Sequence, residues 1–256
     1  MVDLHCHVLP GIDDGPRTLD ESVAVCRAAR SDGTRTLVAT PHVSWDFPDV
    51  TAAAIHAEVA AVNLALRAAD VDAEVRTGAE VALSRAGELS DGELELLALG
   101  GGHYVLLEFP WTSVAAGPVN ALRAFARRGF GIVLAHPERS PMLQRDGTLV
   151  RELVDAGVLC CLDAGSLAEH ADRHTREAAW MLLAAGLAHA IASDCHDAVR
   201  RPPELASTLE RAGLTARQID YFARDAPEAI VNGEDVAPPP AVANRHHRRW
   251  FRLGRW

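Results

Sequence analysis

Residues 2–7 read Val-Asp-Leu-His-Cys-His and residues 190–196 read Ala-Ile-Ala-Ser-Asp-Cys-His, two short apolar runs that each finish in a metal-type pair spaced i, i+2. Side chains alternate faces along a β-strand, so His5 and His7 point the same way, and so do Asp194 and His196. Between these ends the pattern recurs: TLVATPH reaches His42, VRTGAE reaches Glu80, YVLLEF passes Glu108, GIVLAHPER passes His136 and LCCLDAG passes Asp163. The intervening stretches, such as DESVAVCRAARSDG and AAWMLLAAG, carry apolar residues at helical spacing. Strand alternating with helix predicts parallel strands joined by crossover helices. From Glu80 onward the acidic or imidazole strand ends recur every 27–31 residues. A barrel of parallel strands opens every carboxyl end onto one face, whereas an open doubly wound sheet gathers its site at one switch point and leaves the other strand ends without a reason to carry ligands. The expectation is an α/β fold, a distorted seven-stranded parallel (β/α)7 barrel over residues 1–235. A Pro-rich and then basic tail, residues 236–256, follows as a flexible appendage.

Helix punctuation agrees with this frame. Thr18-Leu19-Asp20-Glu21 has the form of a capping box before an apolar run, with Asp20 read as part of the helix start, and Gly33 closes that helix. Gly129, Gly157 and Gly186 fall between predicted helices and strands, and residues 205–232 read as a last helical pair.

Composition narrows the function classes. Lys and Arg total 25, all of them Arg, against 35 Asp and Glu. An acidic body argues against nonspecific nucleic-acid binding, because the phosphate backbone is repelled. The exception is NRHHRRWFRLGRW at 244–256, with five Arg and no acid, for which a membrane surface or a partner is the expected contact if the tail has one. The five cysteines are scattered and contain no C-x-x-C pair, which fits a reducing compartment and a cytoplasmic protein. No signal peptide is expected, and the longest apolar stretch, 178–192, is broken by Gly186 and His189 and too short for a membrane span.

His5-Cys-His7 alone is a weak metal signal, since strand histidines at this spacing are often incidental. Its strength comes from His42, Glu80, Glu108, His136, Asp194 and His196 at other strand ends, with Asp13-Asp14 in the loop after His7. The bland role for each acid is a helix N-cap. Imidazole and carboxylate donors without thiolate suit Mn, Fe or Zn, and several neighbouring cations need shared carboxylates to offset their repulsion. Such a cluster suits phosphoester hydrolysis.

The ordered set DLHCH, LPGIDDG, ATPH, GAE, EF, AHPER and ASDCH resembles the polymerase-and-histidinol-phosphatase (PHP) superfamily and, within it, the bacterial manganese-dependent tyrosine-protein phosphatases that accompany capsule and exopolysaccharide tyrosine kinases. The resemblance covers residues 1 to about 235. It implies a PHP-type barrel and three divalent ions, Mn first with Fe or Zn as alternatives. It places His5, His7, Glu80 and Asp194 on one ion; Glu80, Glu108 and His136 on a second; and Asp14, His42 and His196 on the third, with Asp13 the alternative to Asp14. It gives Arg139 and Arg201 to the phosphoryl group, where the bland role is a surface ion pair and Arg200 is the alternative to Arg201. The implied substrate is a phosphotyrosine protein, a capsule or exopolysaccharide tyrosine kinase, attacked in line by hydroxide without a covalent phosphoenzyme.

Two positions depart from the family pattern: Val43 stands where a His or basic residue is common, and Asp163 where an amide is frequent. Cys195 to Arg201 also satisfies C-x5-R, the spacing of cysteine-dependent phosphatases, but Pro202 and Pro203 interrupt the helix that such a loop needs. A histidinol-phosphate-type phosphatase, a nuclease and a non-catalytic barrel scaffold are the competing readings.

Overall fold

The computed structural model describes residues 1–110, 117–145 and 147–243. The basic stretch 244–256, and with it the expectation of a membrane or partner contact there, lies outside them.

Two sheets, parallel at every pairing, carry the fold. The smaller runs β1 (Val2–Cys6), β2 (Thr36–Ala39), β4 (Glu74–Arg76); the larger runs β3 (His42–Val43), β5 (Glu80–Ala82), β6 (Tyr104–Glu108), β7 (Gly131–Ala135), β8 (Leu159–Asp163), β9 (Ala190–Ala192). Edges of the two sheets meet just past β9. There the Asp194 N–H donates to the His5 carbonyl at 2.9 Å, the His7 N–H donates to the Cys195 carbonyl at 2.8 Å, and Cys6 bridges Cys195 in parallel. First and last strands are therefore neighbours, as the facing His-x-His and Asp-x-His pairs predict.

Two of the expected strands are broken in the middle. TLVATPH divides into β2 and β3, and VRTGAE into β4 and β5, so His42 and Glu80 open new segments instead of ending old ones. Pro41 has no N–H to give to a ladder, and Gly78 lies so close to β2 that a Cβ there would stand 2.7 Å from Val38 Cγ1. After the breaks the second segments pair directly, His42 opposite Glu80.

Alternation along the strands sorts side chains into two buried clusters. Leu106, Val133 and Cys161 join Leu4, Val38 and Ala190 in the smaller one, which the last helix closes with Ile230 and Val231. Their neighbours Leu107, Leu134 and Cys160 face the larger cluster, under the helices. The helix Leu19–Ser31 starts as expected, with the Thr18 hydroxyl accepting from the Glu21 N–H, but the reciprocal half of the box is diverted: Glu21 accepts from the Arg17 N–H at 2.6 Å. Gly33, Gly129, Gly157 and Gly186 all have positive φ between helix and strand. The helix Arg173–Ala184 runs into β9, and residues 216–232 form one helical run with a π-type turn at Tyr221–Asp225.

Residues 236–243 have neither helix nor strand, yet they lie along the body. The Tyr221 hydroxyl donates to the Ala237 carbonyl, Gln218 Nε2 donates to the Ala241 carbonyl, and Val242 is buried. No described helix is long and apolar enough to cross a membrane.

The close approach at Gly78 is open to test. Gly78→Ala should lower unfolding stability by about 1–3 kcal/mol in urea titrations, the usual cost of overpacking against a stiff β-branched neighbour. Gly87→Ala, with nothing within 4 Å of the added methyl and an ordinary helical φ of −69°, should not destabilise. Equal stability at both positions would refute the strand-break argument.

Candidate metal centre

The broken strands and tight turns bring the expected ligands to one mouth. His5 and His7 come from the end of β1, His42 and Glu80 from the paired openings of β3 and β5, and Glu108 from the end of β6. His136 and Asp194 follow β7 and β9 in left-handed backbone, φ +30° and +48°. That conformation is uncommon outside glycine, but Asp, Asn and His tolerate it best, and here it turns two side chains inward at the point where each strand stops.

Donor atoms then converge. His7, Asp14, His42 and His196 each offer one atom within 4.8 Å of the others, as do His5, His7 and Glu80, and His42, Glu80 and Glu108. His7, His42 and Glu80 each belong to two of these groups, and Glu80 touches the most imidazoles: its Oε1 lies 2.7 Å from His136 Nε2, and its Oε2 lies 2.9 Å from His42 Nδ1, 3.3 Å from His5 Nε2 and 3.5 Å from His7 Nε2. The family resemblance groups Glu108 with His136 and Glu80; here Glu108 lies with His42 and Glu80, and His136 meets the same Glu80 carboxylate.

Of the two loop acids, Asp13 is committed to the protein. Its Oδ2 accepts from His7 Nδ1 at 2.7 Å and from the His42 N–H at 3.2 Å, and its Oδ1 accepts from the Gly15 N–H at 3.0 Å. Asp14, with its side chain 48% exposed, turns Oδ1 toward His196 Nε2, His42 Nε2 and His7 Nδ1 at 3.3, 3.6 and 3.7 Å.

This arrangement lacks a positive charge. His196 Nδ1 lies 3.0 Å from the Asp194 carbonyl, a contact that requires the N–H on Nδ1 and leaves a lone pair on Nε2, aimed at a carboxylate oxygen. His196 Nε2 and Glu80 Oε2 are both buried without a hydrogen-bond partner, and buried polar atoms are rarely left so. A cation with bonds of about 2.0–2.2 Å to nitrogen and oxygen would set neighbouring donors roughly 3.0–3.5 Å apart, close to the separations found. The residues therefore fit divalent metal ions.

In the metal-free protein, protons supply part of the missing charge. Against burial, which favours the neutral ring, Asp13, Asp194 and Glu80 hold His7 protonated well above its usual range, and Glu80 lifts His136 to about 9. Burial would raise the Glu80 and Asp194 carboxyls, but the imidazoles, His5 foremost, hold both far below the usual carboxylate range. The His196 imidazole beside it holds Asp14 at about 2, whereas burial lowers His196 itself.

Asp194 links this cluster to the two predicted arginines. Its Oδ1 faces His5 and His7 at 3.5 Å, and its Oδ2 accepts from Arg139 Nη1 at 2.7 Å and Arg201 Nη2 at 2.6 Å. Arg201 borders a cleft of about 830 Å³ that also reaches Asp163, Trp180 and Asp194. A second cleft, about 380 Å³, opens beside His42 and Glu108. Cys195 is fully buried among Asp3 and Cys6 and borders neither cleft, so the C-x5-R spacing does not present a thiol to substrate.

Sequence reasoning misses some of what surrounds the ligands. Asp163, read there as a strand end and a departure from the family pattern but given no role, lies 3.7 Å from Arg139. Glu138, inside the HPER motif, is fully buried and accepts from the Asp163 N–H at 2.9 Å; burial, with Asp163 nearby, pushes it up to about 7. Trp45 and Phe47, directly after ATPH, also go unassigned, although two aromatics behind a ligand strand are a visible signal.

The comparisons with known proteins agree with this geometry. Residues 1–224 match the family model for capsular polysaccharide synthesis, CpsB/CapC. The chain belongs to that family. It is 29% identical to the tyrosine-protein phosphatase YwqE of Bacillus subtilis over 96% of this chain and 98% of the relative. It is 27% identical to the tyrosine-protein phosphatase CpsB of Streptococcus pneumoniae over 91% and 96%. A solved structure from work on these two proteins, described as unique metal-dependent tyrosine phosphatases, superposes with a TM-score of 0.83 at 28% identity, covering 95% of this chain and 100% of that one. This CpsB/CapC member thus has the α/β fold with a parallel-sheet core seen there.

The pH dependence of the metal-free protein follows from His136. Its folded value is raised to about 9 from an ordinary unfolded value of ~6.5. Its contribution to stability is therefore complete below ~6.5 and lost as pH rises through about 9. With chelator present, the denaturation midpoint should fall across that window, and His136→Gln should flatten the fall. An unchanged slope in the variant would contradict the His136–Glu80 pairing.

Proposed function

We propose that this CpsB/CapC-family chain is a metal-dependent protein-tyrosine phosphatase of capsule or exopolysaccharide synthesis. The observation that carries the reading is Glu80: a fully buried carboxylate whose two oxygens face four imidazoles, beside His196 Nε2, a buried acceptor aimed at another carboxylate. The tyrosine-phosphatase activity named for YwqE and CpsB supplies the substrate class.

We read the site as holding three divalent ions, Mn first and Fe or Zn as alternatives, because its donors are imidazole and carboxylate without thiolate. His5, His7, Glu80 and Asp194 would hold one, Glu80, Glu108 and His136 a second with His42 close by, and Asp14, His42 and His196 the third. Bound there, the ions supply an activated water and neutralise phosphoryl charge. The chain's own groups do the rest. Asp13 fixes the His7 tautomer and ring angle by accepting from Nδ1. Arg139 and Arg201, anchored on one oxygen of Asp194, present fork-shaped donors to phosphoryl oxygens and offset charge that grows in the transition state.

The same reading takes the two sheets and their Cys6–Cys195 seam as one distorted seven-stranded barrel, residues 1–235, followed by the tail. It takes a phosphotyrosine-bearing kinase as the partner protein. It places the enzyme in the cytoplasm, in keeping with five free, buried cysteines.

The deciding assay compares turnover of phosphotyrosine peptide, phosphoserine peptide and histidinol phosphate after stripping and Mn reconstitution. Preference for phosphotyrosine, lost with chelator and restored by metal, is the expected result; preference for histidinol phosphate would overturn the protein-phosphatase reading. Asp13→Asn should lower metal affinity and activity by about 10–100-fold, the usual effect of removing a ligand's hydrogen-bond partner. Cys195→Ser should keep most activity, and complete loss with intact folding would revive a thiol nucleophile.

A further inference from the structure

The cleft beside His42 has a wall that metal binding does not explain. Its volume, about 380 Å³, is at the small end of the ~300–1,000 Å³ of ordinary ligand pockets. Two of its lining residues, His42 and Glu108, belong to the metal-type cluster; the others include Trp45, Phe47, Leu83 and Phe109, with the polar Ser44, Asp46 and Ser84 among them. A phosphoryl group held at the cluster would thus have an aromatic-walled space directly beside it.

The aromatic wall is held in place. Trp45 is 55% exposed, the one aromatic among the exposed large apolar side chains of the described residues. An indole left this open normally loses free energy to water, yet Arg85 stacks over it, with its guanidinium carbon 4.5 Å from the ring centroid. Phe47 lies parallel to the His42 ring, 8° apart in plane with centroids at 5.4 Å. One ring of the wall is therefore packed against a candidate ligand, and the other is braced by a cation.

The larger cleft differs in charge. It is more than twice the volume and, although Leu167 and Trp180 lie on its wall, it is bordered by Arg176, Arg200, Arg201 and Arg211 with acids between them, which suits a charged polypeptide segment. We propose that the cleft of Trp45, Phe47, Leu83 and Phe109 seats the aromatic ring of the substrate's ester, making these residues the selector of aryl over alkyl phosphates. This rests on the phosphatase reading above for where the phosphoryl group sits, and it adds residues that the metal and arginine assignments do not include. Serine and threonine phosphates have no ring to stack there, so they would leave the wall wet.

Binding of non-hydrolysable phosphonates separates this proposal from the activity itself. In Mn-loaded protein, phenylphosphonate should bind at least about tenfold more tightly than methylphosphonate, the scale of one well-packed aromatic contact. Trp45→Ala should remove most of that difference while leaving methylphosphonate affinity unchanged, and Trp45→Phe should restore part of it. In turnover, the same variant should raise KM for phosphotyrosine peptide more than for phosphoserine peptide. Thr208→Trp, which fills the larger cleft, should leave the phenyl preference intact. Equal affinity for the two phosphonates in the unaltered protein, or a preference that survives Trp45→Ala and falls with Thr208→Trp, would overturn the proposal. A phenyl preference that depends on Trp45 in a protein that hydrolyses no aryl phosphate would keep the slot and remove the phosphatase reading instead.

Discussion

A carboxylate buried among imidazoles and further carboxylates depends on positive charge brought to it, by protons or by metal. Glu80 stands in that position, and most of the local structure can be understood as the means of holding it there. Burial raises the energy of every charge at the mouth, so an uncompensated site would favour neutralisation or opening. Protons on His7 and His136 offset the deficit in the metal-free chain, but burial disfavours a proton on His196, whose Nε2 then keeps its lone pair toward a carboxylate oxygen. The cluster is best satisfied by cations that accept from several donors at once, and a set of donors spread over nearly two hundred residues is a costly thing to assemble for any lesser purpose.

Assembly depends on interruptions of regular structure. If β2 and β3 were one continuous strand, strict alternation would decide where His42 points. The break at Pro41 resets that alternation, and the break at Gly78 does the same for Glu80, after which the two residues face each other across a short ladder. Asp13 then ties the result together, joining the imidazole of His7 to the backbone of His42 through one carboxylate.

Much of this is legible in the order of residues alone. Strand ends bearing imidazole or carboxylate, at regular intervals, are enough to infer parallel strands with a shared mouth, and the pairs at 5/7 and 194/196 foretell the seam between first and last strands. The breaks are harder to read, because TLVATPH and VRTGAE look like uninterrupted β-runs and the proximity of Gly78 to Val38 is a tertiary fact. Adjacent acids at 13 and 14 cannot be separated by spacing, since the difference lies in which one the backbone of a neighbouring strand engages. Asp163 and Glu138 gain no role from the sequence because their positions beside Arg139 arise from tertiary burial, and Trp45 goes unassigned because aromatic residues near a strand, though a visible signal, are usually core.

His136 and Asp194 carry one more implication. Each serves the mouth with its side chain while its own backbone sits in a region that most residue types avoid. A replacement by glycine would relax the chain and discard the charge or the imidazole; a replacement by a branched apolar residue would lose both. Histidine, aspartate and asparagine are nearly the whole set that satisfies main chain and chemistry together, so drift at these two corners is confined twice over.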